Sequence, residues 1–217
     1  MTGVVAAFVH GPGTIIDDDV RMGSGLGERA SVAIRIGDRA RIRGASEISD
    51  GVRIGDRFDA ARGVVVGERT VIGDDCHVAS NTVIGADCAI GDRVTLDASC
   101  YVSRFSTIED DVLLSPGVCL ASDPHPGTAG HLCMRGPTIK RGAQIGTNAT
   151  ILPFVTIGER SLVGAGSVVT HDVPEGMVVV GNPARILKPV DRITCPLDLE
   201  AGHYLQQTAA TPPPSRG

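Results

Sequence analysis

Stepping through the chain by six from Ile36 lands on an aliphatic residue almost every time. The positions are Ile36, Ile42, Ile48, Ile54, Ala60, Val66, Ile72, Val78, Ile84, Ile90, Leu96, Val102, Ile108, Leu114 and Leu120, and all but Ala60 are Ile, Leu or Val. The next residue is often glycine, as at Gly37, Gly55, Gly67, Gly73, Gly85 and Gly91. Four places after the aliphatic residue the side chain is usually small: Ala40, Ser46, Thr70, Cys76, Thr82, Cys88, Cys100 and Ser106. Six residues are too few for a helix pair and too regular for a sandwich, so each unit predicts one short strand and one corner. Three units close a triangular coil of 18 residues. Such coils stack about 4.8 Å apart as parallel strands, with the aliphatic side chains inside. Glycine at the corner lets neighbouring coils approach where a Cβ would clash. The period does not fix the hand of the coil.

The register breaks once. After residues 121–138 the six-step resumes one residue out of phase at Ile139, Ile145, Ile151, Ile157, Val163 and Val169. The interruption holds three prolines and three glycines, which predicts a loop projecting from the coil, and a strict period broken in this way points to function. A weaker repeat at Ile16, Met22 and Ile34 predicts irregular first coils on another phase. Pro174 is expected to close the repeat. The β-helix domain is then assigned to residues 1–190, and residues 191–217 to a short cap and a disordered tail.

Composition narrows the picture. There is no Trp and little aromatic content, while the apolar residues are mostly Val, Ile, Leu and Ala mixed with 28 Gly. Small and branched side chains suit repeated strands and corners. The net charge of −5 is made of interspersed signs, and no basic stripe suggests nucleic acid as a partner. No apolar run reaches the roughly 20 residues that span a bilayer, and no signal peptide is apparent. The six cysteines occur singly, which fits free thiols and a cytoplasmic location. Cys76, Cys88 and Cys100 fall on the small inward position on different faces, where they cannot pair and serve as core fillers. Cys119, Cys133 and Cys195 suggest no specific role.

Certain motifs carry a resemblance. Gly164-Ala165-Gly166-Ser167-Val168-Val169-Thr170-His171-Asp172-Val173-Pro174, followed by Gly181-Asn182-Pro183-Ala184-Arg185, resembles the end of the hexapeptide-repeat acyltransferases, which use acetyl-CoA or a related thioester. The likeness runs from about residue 8 to 190. Phe8-Val9-His10, Ile15-Ile16-Asp17-Asp18, Ile108-Glu109-Asp110-Asp111-Val112 and Pro137 to Ala143 resemble the subgroup that N-acylates amino sugars on nucleotide carriers. The resemblance implies an all-β fold, a left-handed parallel β-helix. It also implies a homotrimer with sites between subunits, and no metal.

Acyl transfer needs a base for the attacking amine or hydroxyl and donors for the developing oxyanion. Imidazole, with an ordinary pKa near ~6.5, suits the base role. His125 stands in the loop between Pro124 and Pro126, and the resemblance to galactoside and maltose acetyltransferases places the catalytic His there. His131 is the second candidate. It joins Asp97, Ser99 and Ser103 as expected acceptor contacts. The amino-sugar subgroup carries an Asn pair where this chain has Asp97-Ala98-Ser99, a departure that bears on the sugar and not on acyl transfer. For coenzyme A, the resemblance implies Thr147, Ala165, Thr170, His171, Arg185 and Lys188, with the basic residues near the phosphates.

The expected activity is acetyl transfer to an amino group of a nucleotide-linked sugar. O-acetylation of a sugar or small-molecule hydroxyl is the alternative. Three more remote readings remain: a zinc enzyme of the γ-carbonic-anhydrase type using His77, His125 and His131, a non-catalytic scaffold, and an acyl-cysteine route through Cys133. A bifunctional nucleotidyltransferase is not expected, since no N-terminal Rossmann-like region is seen.

Overall fold

Two of every six side chains point inward, and that fixes the architecture. A computed structural model describes residues 8–23, 32–127 and 133–193. They form a left-handed parallel β-helix with three faces. The first face stacks eight strands from Phe8–His10 to Thr156–Ile157. The second stacks ten, from Ile15–Ile16 to Ala184–Pro189, and the third eight, from Arg21–Met22 to Val168–Val169. Most strands are two residues long, one side chain out and one in. Each stack pairs residues 18 apart, as in Ile36, Ile54, Ile72, Ile90 and Ile108. The expected hexapeptide coil is therefore present.

The core consists of the aliphatic position and the small position two residues before it. Ala60, the exception to the aliphatic rule, is fully buried, and so is Phe58 beside it. A large ring at the small position fills the volume that alanine leaves, a swap that conserves core volume. The small positions also carry hydrogen bonds between coils. Thr70 and Thr82 donate to the carbonyls of Gly85 and Asp97 at 2.8 and 2.7 Å. The thiols of Cys76, Cys88 and Cys100 make the same bond, to Gly91, Ser103 and Ser115, at 3.1, 3.2 and 3.2 Å. These cysteines are core fillers, unpaired and on three different faces, and they are also donors.

The edge between the first and second faces explains the aliphatic-Gly-Asp triplet. The backbone N–H of Asp56 donates to the Asp74 carboxylate at 2.8 Å, and that of Asp74 to Asp92 at 2.9 Å. A Cβ on Gly73 would collide with the Asp92 carboxylate and with the Gly91 carbonyl carbon. Glycine and aspartate are therefore two halves of one rung. The stretch Ile108-Glu109-Asp110-Asp111 belongs to this ladder: Asp110 accepts from the Asp92 N–H at 3.0 Å, and Lys140 reaches Glu109 at 2.7 Å.

Two details differ from the sequence reading. Ile16 and Met22 stack on Ile42 and Ile48 as expected, but Ile34 is not on their phase. It pairs with Phe8, and Ile36 holds the aliphatic place opposite His10. Strand partners here are 26 residues apart and not 18, so this first coil holds eight extra residues. Eight is not a multiple of six, and Ile34 matched the phase by coincidence. At the other end the loop returns one residue earlier than expected, because Thr138 already belongs to the strand Thr138–Ile139.

The stack ends in an antiparallel hairpin, Met177–Gly181 with Ala184–Pro189, and a 3-10 turn at Val190–Arg192. Pro174 lies inside the last coil, after Val173 has bridged to Ile157. The expected tail, with Cys195, lies outside the described residues, apart from the positions up to 193.

Candidate active site

The loop leaves the coil at the edge between the third and first faces. Leu120 pairs with Ile151, and Glu109 with Lys140 across 31 positions, 13 more than one coil. Its root is closed by the Arg135 N–H, which donates to the Ser122 carbonyl at 3.0 Å. Ser122 is buried there, and Gly136 packs so tightly on Ser106 that a Cβ would meet its hydroxyl. From this root the chain runs Asp123-Pro124-His125-Pro126. The His125 N–H donates to the Asp123 carboxylate at 2.8 Å. Two prolines and this turn restrict the backbone that presents the exposed imidazole. His131, the other loop histidine, lies outside the described residues.

Beneath the loop a groove of about 620 Å³ follows the same edge toward the N-terminus. Tyr101, Arg69, Arg104 and Glu68 line it together with Asp123 and Met134 from the two arms of the loop. Arg69 holds Asp87 through two bonds of 2.7 and 2.8 Å and Glu68 at 2.8 Å.

The expected acceptor contacts do not gather here. Asp97 and Ser99 lie on the edge between the second and third faces, away from the loop root within one chain. Ser103 is on the loop's own edge but is buried, 3% exposed, because its carbonyl accepts bonds from Ser106 and Cys88 inside the corner. It serves the coil and offers no hydroxyl to the groove.

The expected donor contacts divide in the same way. Thr147 and Ala165 occupy successive coils of the second-to-third edge, where the Gly166 N–H bonds the Thr147 carbonyl at 2.8 Å. Thr170 and His171 lie on the loop's edge, with the Thr170 hydroxyl 2.8 Å from His171 Nδ1. His171 and Arg185 do meet, in a second cavity of about 420 Å³ bounded by Val169, Ala184 and Ile186. Lys188 is on the final strand opposite Val178.

Sequence reasoning missed Tyr101, Arg104, Phe105 and Phe154. Phe105 and Phe154 sit on the loop's edge, one on each side of the loop, with φ of 61° and 66°. Every other non-glycine residue in this left-handed conformation, among those described, is Arg, Asp, Asn, Ser or Ala. Two exposed aromatics at that strained position are a signal that aligning the hexapeptides reveals.

Among the described residues no three His, Cys, Asp or Glu side chains converge as a metal site. His77 stands on the second face, 3.0 Å from Asp59 and apart from the loop. Burial pushes the thiols of Cys76, Cys88 and Cys100 up to about 12, 11 and 11, so they stay protonated at neutral pH. No helix among the described residues is long and apolar enough to cross a membrane.

Comparison with known proteins gives the following. The family described as bacterial transferase hexapeptide (six repeats) matches residues 63–97 and 136–171. A galactoside O-acetyltransferase from Escherichia coli (strain K12) is 38% identical over 90 residues, 39% of this chain and 44% of that protein. A serine acetyltransferase from Bacillus subtilis (strain 168) is 45% identical over 80 residues, 37% of this chain and 35% of that protein. A dTDP-3-amino-3,6-dideoxy-alpha-D-galactopyranose 3-N-acetyltransferase from Aneurinibacillus thermoaerophilus is 54% identical over 48 residues, 22% of this chain and 25% of that protein. The chain thus spans less than half the length of each of these relatives.

Proposed function

We propose that this chain is a hexapeptide-repeat transferase that moves an acetyl group from acetyl-CoA to an amino group of a nucleotide-linked sugar, with His125 as the general base. One observation carries the reading. The period kept from Ile36 to Leu120 is broken after Leu120, and the break raises a histidine between two prolines, two residues beyond Asp123, which lines the groove. The three named relatives support acetyl transfer, one of them to an amino sugar on a nucleotide.

In this mechanism the neutral amine of the acceptor attacks the thioester carbonyl carbon, forming the C–N bond. His125 takes the proton that the nitrogen sheds. Backbone N–H groups hold the oxyanion until the C–S bond breaks and the carbonyl re-forms. The imidazolium then returns its proton to the leaving thiolate. The donor is assigned to the C-terminal coils, where His171 and Arg185 share a cavity. Arg185 suits a phosphate and the small corner residues Thr147 and Ala165 a pantetheine arm. Asp97, Ser99, Thr147 and Ala165 lie on one edge and His125 on another, so a site made from both sets needs two subunits. A closed ring of three, with each loop edge facing a neighbour's second-to-third edge, satisfies that requirement.

The test is thiol release from acetyl-CoA with a panel of nucleotide-linked amino sugars. His125→Ala should lower turnover by ~10²–10⁴-fold and leave acetyl-CoA affinity unchanged. The acid limb of the wild-type pH profile should vanish in the variant. Near-normal turnover in His125→Ala would refute the assignment. The O-acetyltransferase and serine acetyltransferase relatives favour a hydroxyl acceptor as the second reading, so simple sugars and serine belong in the panel.

A further inference from the structure

We propose that the groove under the loop is the subsite for the carrier part of the acceptor, a nucleoside diphosphate, with Arg104 as its phosphate contact and Tyr101 as the platform for its ring. This deepens the acetyl-transfer reading and rests on it for the word acceptor. The groove's occupancy is a separate matter.

Glu68, Asp123 and Glu47 line the groove along with Arg69 and Arg104. Glu68 is held by Arg69 at 2.8 Å, Asp123 accepts the His125 N–H, and Glu47 faces Arg21 at 3.7 Å. Arg69 is itself committed, gripping both carboxylate oxygens of Asp87. Arg104 differs. It approaches Asp87 at 3.6 Å, a carboxylate that Arg69 already holds through two shorter bonds. Its guanidinium lies over the Phe105 ring, 4.6 Å from the centroid. A ring contact of this kind fixes the cation's position and consumes none of its N–H donors. The result is a guanidinium seated on a ring at the wall of the groove, a group that suits a phosphate. It also explains why the strained, exposed position 105 carries a phenylalanine.

Tyr101 supplies the second contact. It stands on the third face, half exposed, and lines the same groove. Its outward neighbours along the face are Val83 and Cys119, neither of them aromatic. An exposed aromatic face beside a cation is the minimal site for a flat base carried on phosphate. Val102 pairs with Leu120, so Arg104 and Ser122 hold the same place in successive coils, about 4.8 Å apart. A phosphate on Arg104 therefore lies one coil below the loop root, and a sugar bonded to that phosphate extends toward His125.

Titration of the full chain with uridine diphosphate, uridine, inorganic pyrophosphate and coenzyme A tests this. Uridine diphosphate should bind the wild type, and coenzyme A should not displace it. Arg104→Ala should weaken uridine diphosphate and pyrophosphate about 10–100-fold, from the loss of hydrogen bonds to a charged group, and leave coenzyme A unchanged. Tyr101→Ala should weaken uridine diphosphate and uridine about tenfold and leave pyrophosphate unchanged, and Tyr101→Phe should restore binding. Unchanged affinity in Arg104→Ala, displacement by coenzyme A, or no binding to a wild type that does bind coenzyme A would each overturn the proposal. Failure of the acetyl-transfer reading looks different: coenzyme A neither binds nor is released, whatever uridine diphosphate does.

Discussion

A methyl group added at Gly85 would stand 2.5 Å from the Arg104 nitrogen and 3.0 Å from its Cα. Backbone of the next coil cannot give way as a flexible side chain can. Gly166 has a positive φ of 69°, but nothing lies within 4 Å of where its Cβ would be. Gly85→Ala should therefore cost about 1–3 kcal/mol from overpacking. Gly166→Ala should cost only the left-handed strain, about 1 kcal/mol. Urea denaturation of the two variants checks the order, and equal losses would contradict the close-approach account. The role of the corner glycines was legible from their place after the aliphatic residue. Arg104 and Tyr101 were not, since one Arg and one Tyr among alternating surface residues look alike until the coils are stacked. The inward cysteines were read correctly as fillers, but their hydrogen bonds were invisible, because a partner 15 residues ahead appears only with the register. Their thiols carry a prediction at alkaline pH. Burial raises them from 9.0 to about 12, 11 and 11, so the folded chain keeps protons that the unfolded chain releases. Their contribution is fully present below pH 9 and is lost as pH rises through 11 to 12. A variant with Ser at positions 76, 88 and 100 keeps a donor for each carbonyl. Its stability should fall less between pH 9 and 11 than that of the wild type, measured by denaturant midpoint.

At the scale of the element, a strand two residues long has almost no stability of its own, and the rungs between coils supply the rest. On the loop's edge Arg69 grips Asp87 one coil away, and this bond, helped by Arg104, holds the Asp87 carboxyl below the usual carboxylate range. The folded pKa is depressed, so the stabilisation is present above the unfolded value near ~3.9 and disappears as pH falls below it. Asp87→Asn should then lower Tm by about 2–4 °C at pH 7 and by less at pH 3, where the unfolded carboxyl is already protonated and the advantage of the folded one is shrinking. Calorimetry at the two pH values checks this, and an equal loss at both would make the effect one of packing. The elements themselves were the most legible part of the sequence, because two inward positions in six leave a strong imprint. The first coil misled because its eight extra residues happened to put Ile34 on phase with Ile16 and Met22. Motifs from the family resemblance were legible as landmarks and less so as chemistry. Asp110 and Glu109 turned out to be rungs, and Ser103 faces into its corner.

On the scale of the whole molecule, the stack and the loop are separable, and the register gives a way to separate them. The insertion adds 13 residues to one coil. Removing residues 123–135 joins Ser122 to Gly136 and makes Leu120 to Ile139 a single six-residue step. Gly136 then occupies the third place after the aliphatic residue, where Gly51 and Gly117 already adopt positive φ. Thr138–Ile139 keeps its pairing with Thr107–Ile108, and Leu120 stays under Ile151. The shortened chain should fold with the same strand content and a Tm no lower than that of the parent, since closing a shorter loop costs less entropy. It should bind coenzyme A normally, because the cavity shared by His171 and Arg185 lies two coils above the loop root and takes no lining residue from the loop. It should fail to transfer acetyl groups, having lost His125. Its uridine diphosphate affinity should fall only in part, since Arg104 and Tyr101 remain while the wall formed by Asp123 and Met134 is gone. Circular dichroism, titration and thiol release on this one variant read each outcome separately. Retained acetyl transfer in a well-folded deletion variant would remove the loop from the chemistry and leave the break in the period without a function.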